Sequence, residues 1–461
     1  MHRFKKILIA NRGEIAVRII RACKEMGIKS AVVFSEIDRN SLHVLLADEK
    51  YEIGPAPANE SYLRMDKIID TALRIKADAI HPGYGFLAEN PEFSEKCEEN
   101  GITFIGPPSH CMAKAKPKNR ARQLMKMINI PVTPGFDEAI KDGSSSELNK
   151  AREIAAELGY PVIVKPSGGG GGIGIMKVDN EKELIASIEK TERHAISAFG
   201  TSYFYIEKFI RNAKHIEFQV LADRHGNVIH LGERDCSVQR RFQKLIEEAP
   251  CPIMTPFWRM KMGAAAIDVA LALEYVGALT VEFFYLPEER KFYFNEINCR
   301  LQVEHGVTEV ITGIDIVKEQ ILIAQGEELS IDQDDIRFMG HAVECRINAE
   351  DAKRNFMPSP GKINGLRLPQ GPGIRVDEGI YEGYEIPYHY DSLLMKIISH
   401  GQNRKEAICR MKRAIEEMEI DGPKTTIPFH LTILDDEDFL SGEYTTDLAT
   451  REQIWQKIKQ I

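Results

Sequence analysis

Residues 292–309 read FYFNEINCRLQVEHGVTE. Phe292, Phe294, Glu296, Asn298, Arg300 and Gln302 recur at every second position, so a strand here would put all six on one face. That face begins apolar and turns into a carboxylate, an amide, a guanidinium and a second amide. Such a row makes a poor core, because burying polar groups without partners is costly. The preceding run, Leu279-Thr280-Val281-Glu282-Phe283-Phe284-Tyr285, is also strand-like, and Leu286-Pro287-Glu288-Glu289-Arg290-Lys291 has the composition of a hairpin loop. A symmetric hairpin sets Phe284 opposite Phe294 and Glu282 opposite Glu296. Two carboxylates directly across an antiparallel ladder repel. A hard divalent cation bound through oxygens and carrying a nucleotide's phosphates removes the repulsion. Two solvated glutamates on an edge hairpin are the alternative.

The chain around this hairpin is 461 residues long, which implies about two to four domains. Hydrophobic residues make up 43% and charged residues 28%, an ordinary soluble balance. A net charge of -9 disfavours a nucleic-acid partner, which needs a basic face. No apolar run approaches a membrane span. The opening MHRFKKILIANRGE carries no signal peptide, so the expected location is the cytoplasm. Eight scattered cysteines without a Cys-x-x-Cys pair read as reduced thiols.

Up to about residue 115, strands and helices alternate. Residues 6–10, 30–34, 79–80 and 103–105 are strand-like, and the helical stripe over 14–26 closes at Gly27. This layout predicts a parallel, Rossmann-like sheet. Its first turn, NRGE, lacks the dinucleotide glycine fingerprint. HPGYGF at 81–86 follows a strand end, where such sheets hold their ligand crevice; a tight turn with an aromatic plug reads equally well. Residues 119–127 are helical and 142–146 form a surface loop. A strand at 161–165 feeds Pro166-Ser167 and five glycines at 168–172. Dense glycine lets backbone N–H groups approach an anion, and no helix follows, so this is not a Walker loop. It reads as a flap closing over nucleotide, with Lys165 placed to meet phosphate. Residues 215–221 and 228–231 form a hairpin. The segment 233–244 then packs four cations, Arg234, Arg240, Arg241 and Lys244, into a polar run. A solvated face is the ordinary reading of such a run; its path toward a helix at 259–273 and the carboxylate hairpin favours a shared cleft.

Taken in order, KKILIANRGEIAVRIIRA, HPGYGFLAEN, KPSGGGGG, ERDCSVQRR, QKLIEEAP, FNEINCRLQVEH, GHAVECRINAED and YDSLLMKI resemble the biotin carboxylases, the ATP-grasp subunits of biotin-dependent carboxylases such as pyruvate and acetyl-CoA carboxylase. The resemblance covers nearly the whole chain. It implies an α/β protein with a Rossmann-like N-terminal domain (1–115), an ATP-grasp domain (116–335) whose mobile glycine-rich lid spans about 133–209, and a C-terminal α+β domain (336–461). The implied reaction is ATP-dependent carboxylation of biotin by bicarbonate through carboxyphosphate. Lys118, Lys165, Gly171, Gly172, Glu207, Lys208, Ile210, His215 and Gln239 match the ATP-binding positions. Glu282, Glu296 and Asn298 match the ligands of Mg²⁺ or Mn²⁺. Lys244, Arg300, Gln302 and Val303 match the bicarbonate site. Glu304 matches the base and Arg346 the group stabilising the biotin enolate, while Tyr84 and Gly85 lie where the biotin ring is expected. A glutamate flanked by Arg300 and Arg346 should stay ionised. The resemblance also implies a homodimer that works with a carboxyltransferase subunit. No Ala-Met-Lys-Met segment is present, so biotin is expected on a separate carrier protein.

The chain departs from the family pattern at Ile173, Phe242, Pro166, Lys116-Pro117-Lys118 and Gly306, where arginine, histidine, alanine, Met-Gly-Asp-Lys and proline are usual. Two alternatives follow: a nucleotide-binding scaffold with impaired turnover, or another ATP-grasp ligase.

Overall fold

The computed structural model describes residues 3–116, 118–136, 140–141, 144–166, 174–199 and 203–460. Strands β1 (Lys6–Ile9), β2 (Lys29–Ser35), β3 (Glu49–Gly54), β4 (Ala79–His81) and β5 (Thr103–Phe104) form a parallel sheet in the order β3-β2-β1-β4-β5. The order reverses between β1 and β4, which opens a crevice beyond their carboxyl ends. Asn11, just after β1, closes that crevice by donating to the carbonyls of Pro82 and Tyr84 at 2.6 and 2.7 Å. The HPGYGF turn is thereby fixed at the switch point.

A smaller antiparallel sheet follows, with β6 (Val162–Pro166) between β7 (Met176–Val178) and β8 (Phe204–Lys208). Helices Ser145–Leu158 and Glu181–Phe199 cover it, and Ile140, Ala151, Ile154, Val162, Val164 and Ile206 give it a core of its own. Ser145 and Ser146, expected in a surface loop, are the first turn of a helix. Ser144 sits at the cap position and Glu147 in the first turn, where a negative charge suits the helix dipole. The glycine run 168–172 and Ile173 lie outside the described residues.

The largest sheet joins β9 (Lys214–Ala222), β10 (Val228–Arg240), β11 (Gln243–Ala249), β12 (Gly277–Leu286), β13 (Lys291–Asn298) and β14 (His341–Asn348) to strands Ile374–Glu378 and Leu393–Gly401. Its order is β13-β12-β9-β10-β11-β14, then Leu393–Gly401 and Ile374–Glu378. One sheet therefore carries both the carboxylate hairpin and Arg346. At Gly306 the Ile398 side chain fills the space a Cβ would take, 2.4 Å from its Cδ1.

The hairpin of β12 and β13 sets Glu282 opposite Glu296, as expected, but closes with Leu286 opposite Lys291, one residue out of the symmetric register. The two registers meet between Glu282 and Phe283. Phe283, not Phe284, faces Phe294, and Phe284 faces Tyr293, because a bulge at Asn295 adds a residue to β13. Hence the six alternating residues do not share a face. Phe292 and Phe294 join the apolar core with Val281, Phe283 and Tyr285, whereas Glu296 and Asn298 turn to the opposite side with Glu282. The bulge lets one strand supply core at its start and chemistry at its end.

The polar run 233–244 is also ordered. β10 continues to Arg240, Arg241 and Phe242 turn with φ of +49° and +65°, and β11 returns from Gln243. A two-residue turn with both residues left-handed matches the twist of its strands. It sends Lys244 back under the sheet. Arg240 goes the other way, over the Phe356 ring at 4.5 Å, and only Arg241 is the solvated cation that a charge run suggests.

Candidate active site

Three strands set the centre of the site. Glu217 on β9, Glu282 on β12 and Lys244 on β11 converge with Glu304, which precedes the helix His305–Thr312. The Lys244 ammonium has three N–H donors and spends one on each carboxylate. Glu282 Oε1 accepts at 2.8 Å and Glu304 Oε1 at 2.7 Å, and Glu217 Oε2 takes the third. Arg346 donates through Nε to Glu247 Oε1 at 2.6 Å and through its terminal nitrogen to Glu304 Oε2 at 2.8 Å. Arg234, fully buried, reaches Glu217, Gln219, Thr280 and Thr308. Burial alone would raise the Glu304 carboxyl, yet Lys244, Arg346 and Arg234 hold it well below the usual carboxylate range. It is ionised, as expected, with Arg346 among the cations responsible and Lys244 and Arg234 in place of Arg300.

Arg300 enters from the side. It donates to Gln302 Oε1 at 3.1 Å and Asn298 Oδ1 at 3.2 Å and pairs with Glu89 at 3.2 Å. Asn298 in turn donates to Glu282 Oε1 at 2.9 Å. A continuous path thus joins Arg300, Asn298, Glu282, Lys244, Glu304 and Arg346 in one cleft. Gln302 is buried, and its Nε2 has no partner among the described residues. Val303 contributes its carbonyl, which accepts from Lys396 at 2.6 Å.

On the other side of Glu282 the site changes character. His215 Nε2 lies 2.7 Å from Glu282 Oε2, and Gln239 reaches His215 Nδ1 at 3.3 Å. Burial disfavours the imidazolium, but Glu282 outweighs it and raises the His215 pKa. Asn295 also donates to Glu282 Oε2 at 3.3 Å. Glu296 has no hydrogen-bond partner among the described residues. Burial first, then Glu282, pushes its carboxyl up. This is the repulsion expected from the hairpin; Lys118, Lys165 and Lys244 offset it only in part. Glu282, Glu296 and Asn298 present only oxygen ligands on one face, a donor set that suits a hard cation such as Mg²⁺.

Beyond Glu296 a cavity is lined by Lys118, Arg122, Glu207, Phe294, Asn298 and Cys299, among others. Lys165 donates to Glu207 Oε2 at 2.7 Å, and Arg122 lies 3.5 Å from Oε1. Burial would raise Glu207, but Lys165 and Arg122 take it down to about 2. Burial and the neighbouring Lys165 lower the Lys118 pKa. Lys208 points away, donating to the carbonyl of Gly159 at 2.7 Å, and Ile210 follows the end of β8. Gly171 and Gly172 lie outside the described residues. Tyr84 bonds Glu14, and Gly85 has φ of +71°.

Sequence reasoning missed Glu217, Glu247 and Glu89, and placed Arg234 only within the cationic run, without a partner. The first had a signal, since His215, Glu217 and Gln219 form the polar face of one alternating strand. Glu89 had none, because 211 residues separate it from its partner Arg300.

Family models match most of the chain: "Biotin carboxylase, N-terminal domain" over residues 3–112, "Carbamoyl-phosphate synthase L chain, ATP binding domain" over 117–332, and "Biotin carboxylase C-terminal domain" over 344–451. Biotin carboxylase 1 of Bacillus subtilis is 52% identical over 442 residues, covering 96% of this chain and 97% of its own. A pyruvate carboxylase subunit of Methanothermobacter thermautotrophicus is 54% identical over 443 residues, covering 96% and 89%. The biotin carboxylase domain of the Hydrogenobacter thermophilus 2-oxoglutarate carboxylase, solved as a dimer with MgADP, ADP and bicarbonate, superposes with a TM-score of 0.94 at 49% identity, covering 99% of both chains. With its parallel N-terminal sheet, its antiparallel ATP-grasp sheet and this acid-and-arginine cleft, the chain belongs to the biotin carboxylase family.

Proposed function

We propose that the chain catalyses ATP-dependent carboxylation of biotin, with bicarbonate as the carbon source and carboxyphosphate as the intermediate. The observation that carries this reading is Lys244, seated between Glu282 and Glu304. One ammonium links the carboxylate hairpin to the base and its arginines, so nucleotide phosphate and a one-carbon anion would meet at a single point. The related 2-oxoglutarate carboxylase domain binds MgADP and bicarbonate together, which supports the same pairing here.

Bicarbonate is a poor nucleophile, and its attack on the γ-phosphate gathers anions. Lys118 and Lys165 serve the phosphate side, Lys244 and Arg300 the bicarbonate side, and fixed charges of this kind supply most of phosphoryl-transfer catalysis. Glu282, Glu296 and Asn298 would hold Mg²⁺, which when bound neutralises phosphate charge. Glu304, kept ionised, removes the bicarbonate proton as its oxygen bonds to phosphorus and ADP leaves. The carboxyl group of carboxyphosphate then passes to N1' of biotin as its bond to the phosphate oxygen breaks; the leaving phosphate takes the N1' proton, while Arg346 faces the negative charge on the biotin ureido oxygen. Tyr84 and Gly85, at the sheet's switch point, border the biotin ring.

The working unit is a homodimer acting in the cytoplasm with a separate biotin carrier protein and a carboxyltransferase subunit. Its three domains divide at about residues 115 and 335, with a lid over 133–209. The test is bicarbonate-dependent ADP release with free biotin as acceptor. Release that does not depend on bicarbonate would overturn the assignment.

A further inference from the structure

Lys396, on strand Leu393–Gly401, is fully buried and lies under the catalytic segment rather than in it. Its ammonium donates to the Val303 carbonyl at 2.6 Å, immediately before the base Glu304. It lies 3.4 Å from Glu14 Oε1 and 3.7 Å from Asp377. Asp377 is already held by both sides of the Arg375 guanidinium, at 3.0 and 2.8 Å. Glu14, on the helix Gly13–Glu25, has no other cation at salt-bridge distance among the described residues, and its carboxylate also accepts from the Tyr84 hydroxyl.

We infer that Lys396 is a positioning residue for carboxylation, acting through two contacts: it holds the Val303–Glu304 backbone and, through Glu14, the Tyr84 hydroxyl. The ammonium thereby sets the spacing between the base and the biotin-facing tyrosine, which belong to segments far apart in the chain. A cation buried only for stability could bond any nearby acceptor. This one bonds the carbonyl of the peptide that joins Val303 to Glu304. The inference rests on the carboxylase reading above, since it assigns Val303 and Tyr84 to bicarbonate and biotin.

The experiment uses the full chain with ATP, bicarbonate and free biotin, comparing wild type with Lys396→Met and Glu14→Gln. Folding is checked by thermal melting and nucleotide binding by calorimetry with MgADP. The expected result for Lys396→Met is a loss of about tenfold or more in kcat/KM for bicarbonate with MgADP affinity unchanged, because sub-ångström displacement of a reacting group is enough for such a loss. Glu14→Gln, which keeps its shape, should lower biotin-dependent turnover several-fold, again without touching MgADP. Parallel losses in nucleotide and bicarbonate binding would reduce Lys396 to a structural role and overturn the inference, as would wild-type kinetics in both variants. If Lys396→Met does not fold, Glu14→Gln decides alone, and unchanged turnover overturns it. Wild type lacking bicarbonate-dependent ADP release would sink the carboxylase reading itself, a failure visible before any variant is made.

Discussion

Glu296 and Glu304 are eight residues apart, yet the fold shifts their carboxyls in opposite directions. Glu304 has Lys244 and Arg346 at hydrogen-bond distance and Arg234 behind, and these hold it ionised. Glu296 faces Glu282 with no hydrogen-bonding partner among the described residues, and burial raises its pKa. The difference lies in the neighbours, since the residue type is the same. A base must be charged before substrate arrives, so the protein supplies its counter-charges permanently. At Glu296 the lysines only partly offset burial and Glu282, and that shortfall is what a bound cation would make up.

The largest effects should come from removing the charged end of this contrast. Glu304→Ala and Arg300→Ala are expected to abolish biotin carboxylation, at least about 10³-fold in kcat, measured by carbon fixation from labelled bicarbonate. Wild-type-like turnover in either would break the comparison at its base. Lys244→Met comes next. It strands Glu217, Glu282 and Glu304 without their shared cation, so stability should fall by about 3–5 kcal/mol, seen in urea unfolding, with turnover falling too.

Glu296→Gln sharpens the other end. Because the wild-type carboxyl is raised, protons compete with a divalent cation for it further up the pH scale than for an ordinary glutamate, so Mg²⁺ affinity should increase with pH. Calorimetric titrations of Glu296→Gln with Mg²⁺ and nucleotide should show weaker binding, by about tenfold, and a flatter pH dependence. The smallest effect is expected at Glu247. Burial first, then the nearby Glu304, raises it to about 7 despite its bond to Arg346. Below pH 7 it gains a proton and loses its charged hold on the Arg346 guanidinium, so kcat/KM should decline on acidification through that range. Glu247→Gln should remove this step from the pH profile while retaining several-tenths of the activity at high pH. An unaltered profile would show that Arg346 does not depend on it.

The reach of the sequence can be judged at particular residues. The facing glutamates were expected from a symmetric hairpin, but the strands close one residue out of that register, and the bulge at Asn295 is what brings Glu282 opposite Glu296. That bulge was not legible, because alternation is a local rule and the extra residue follows from how Phe283 and Phe294 pack in the core. Arg240 and Arg241 looked like two more site cations, yet one stacks on Phe356 and the other is exposed. Only the turn geometry tells them from Lys244.

The order of strands, the parallel N-terminal sheet and the motif series that marks the family are properties of local pattern and spacing, and the sequence alone determined them. Which acids are charged is different. Glu217 with Arg234, Glu89 with Arg300, and Val303 with Lys396 join residues far apart in the chain. Protonation depends on burial and on the nearest opposite charge, and both exist only once the sheet has closed over the site.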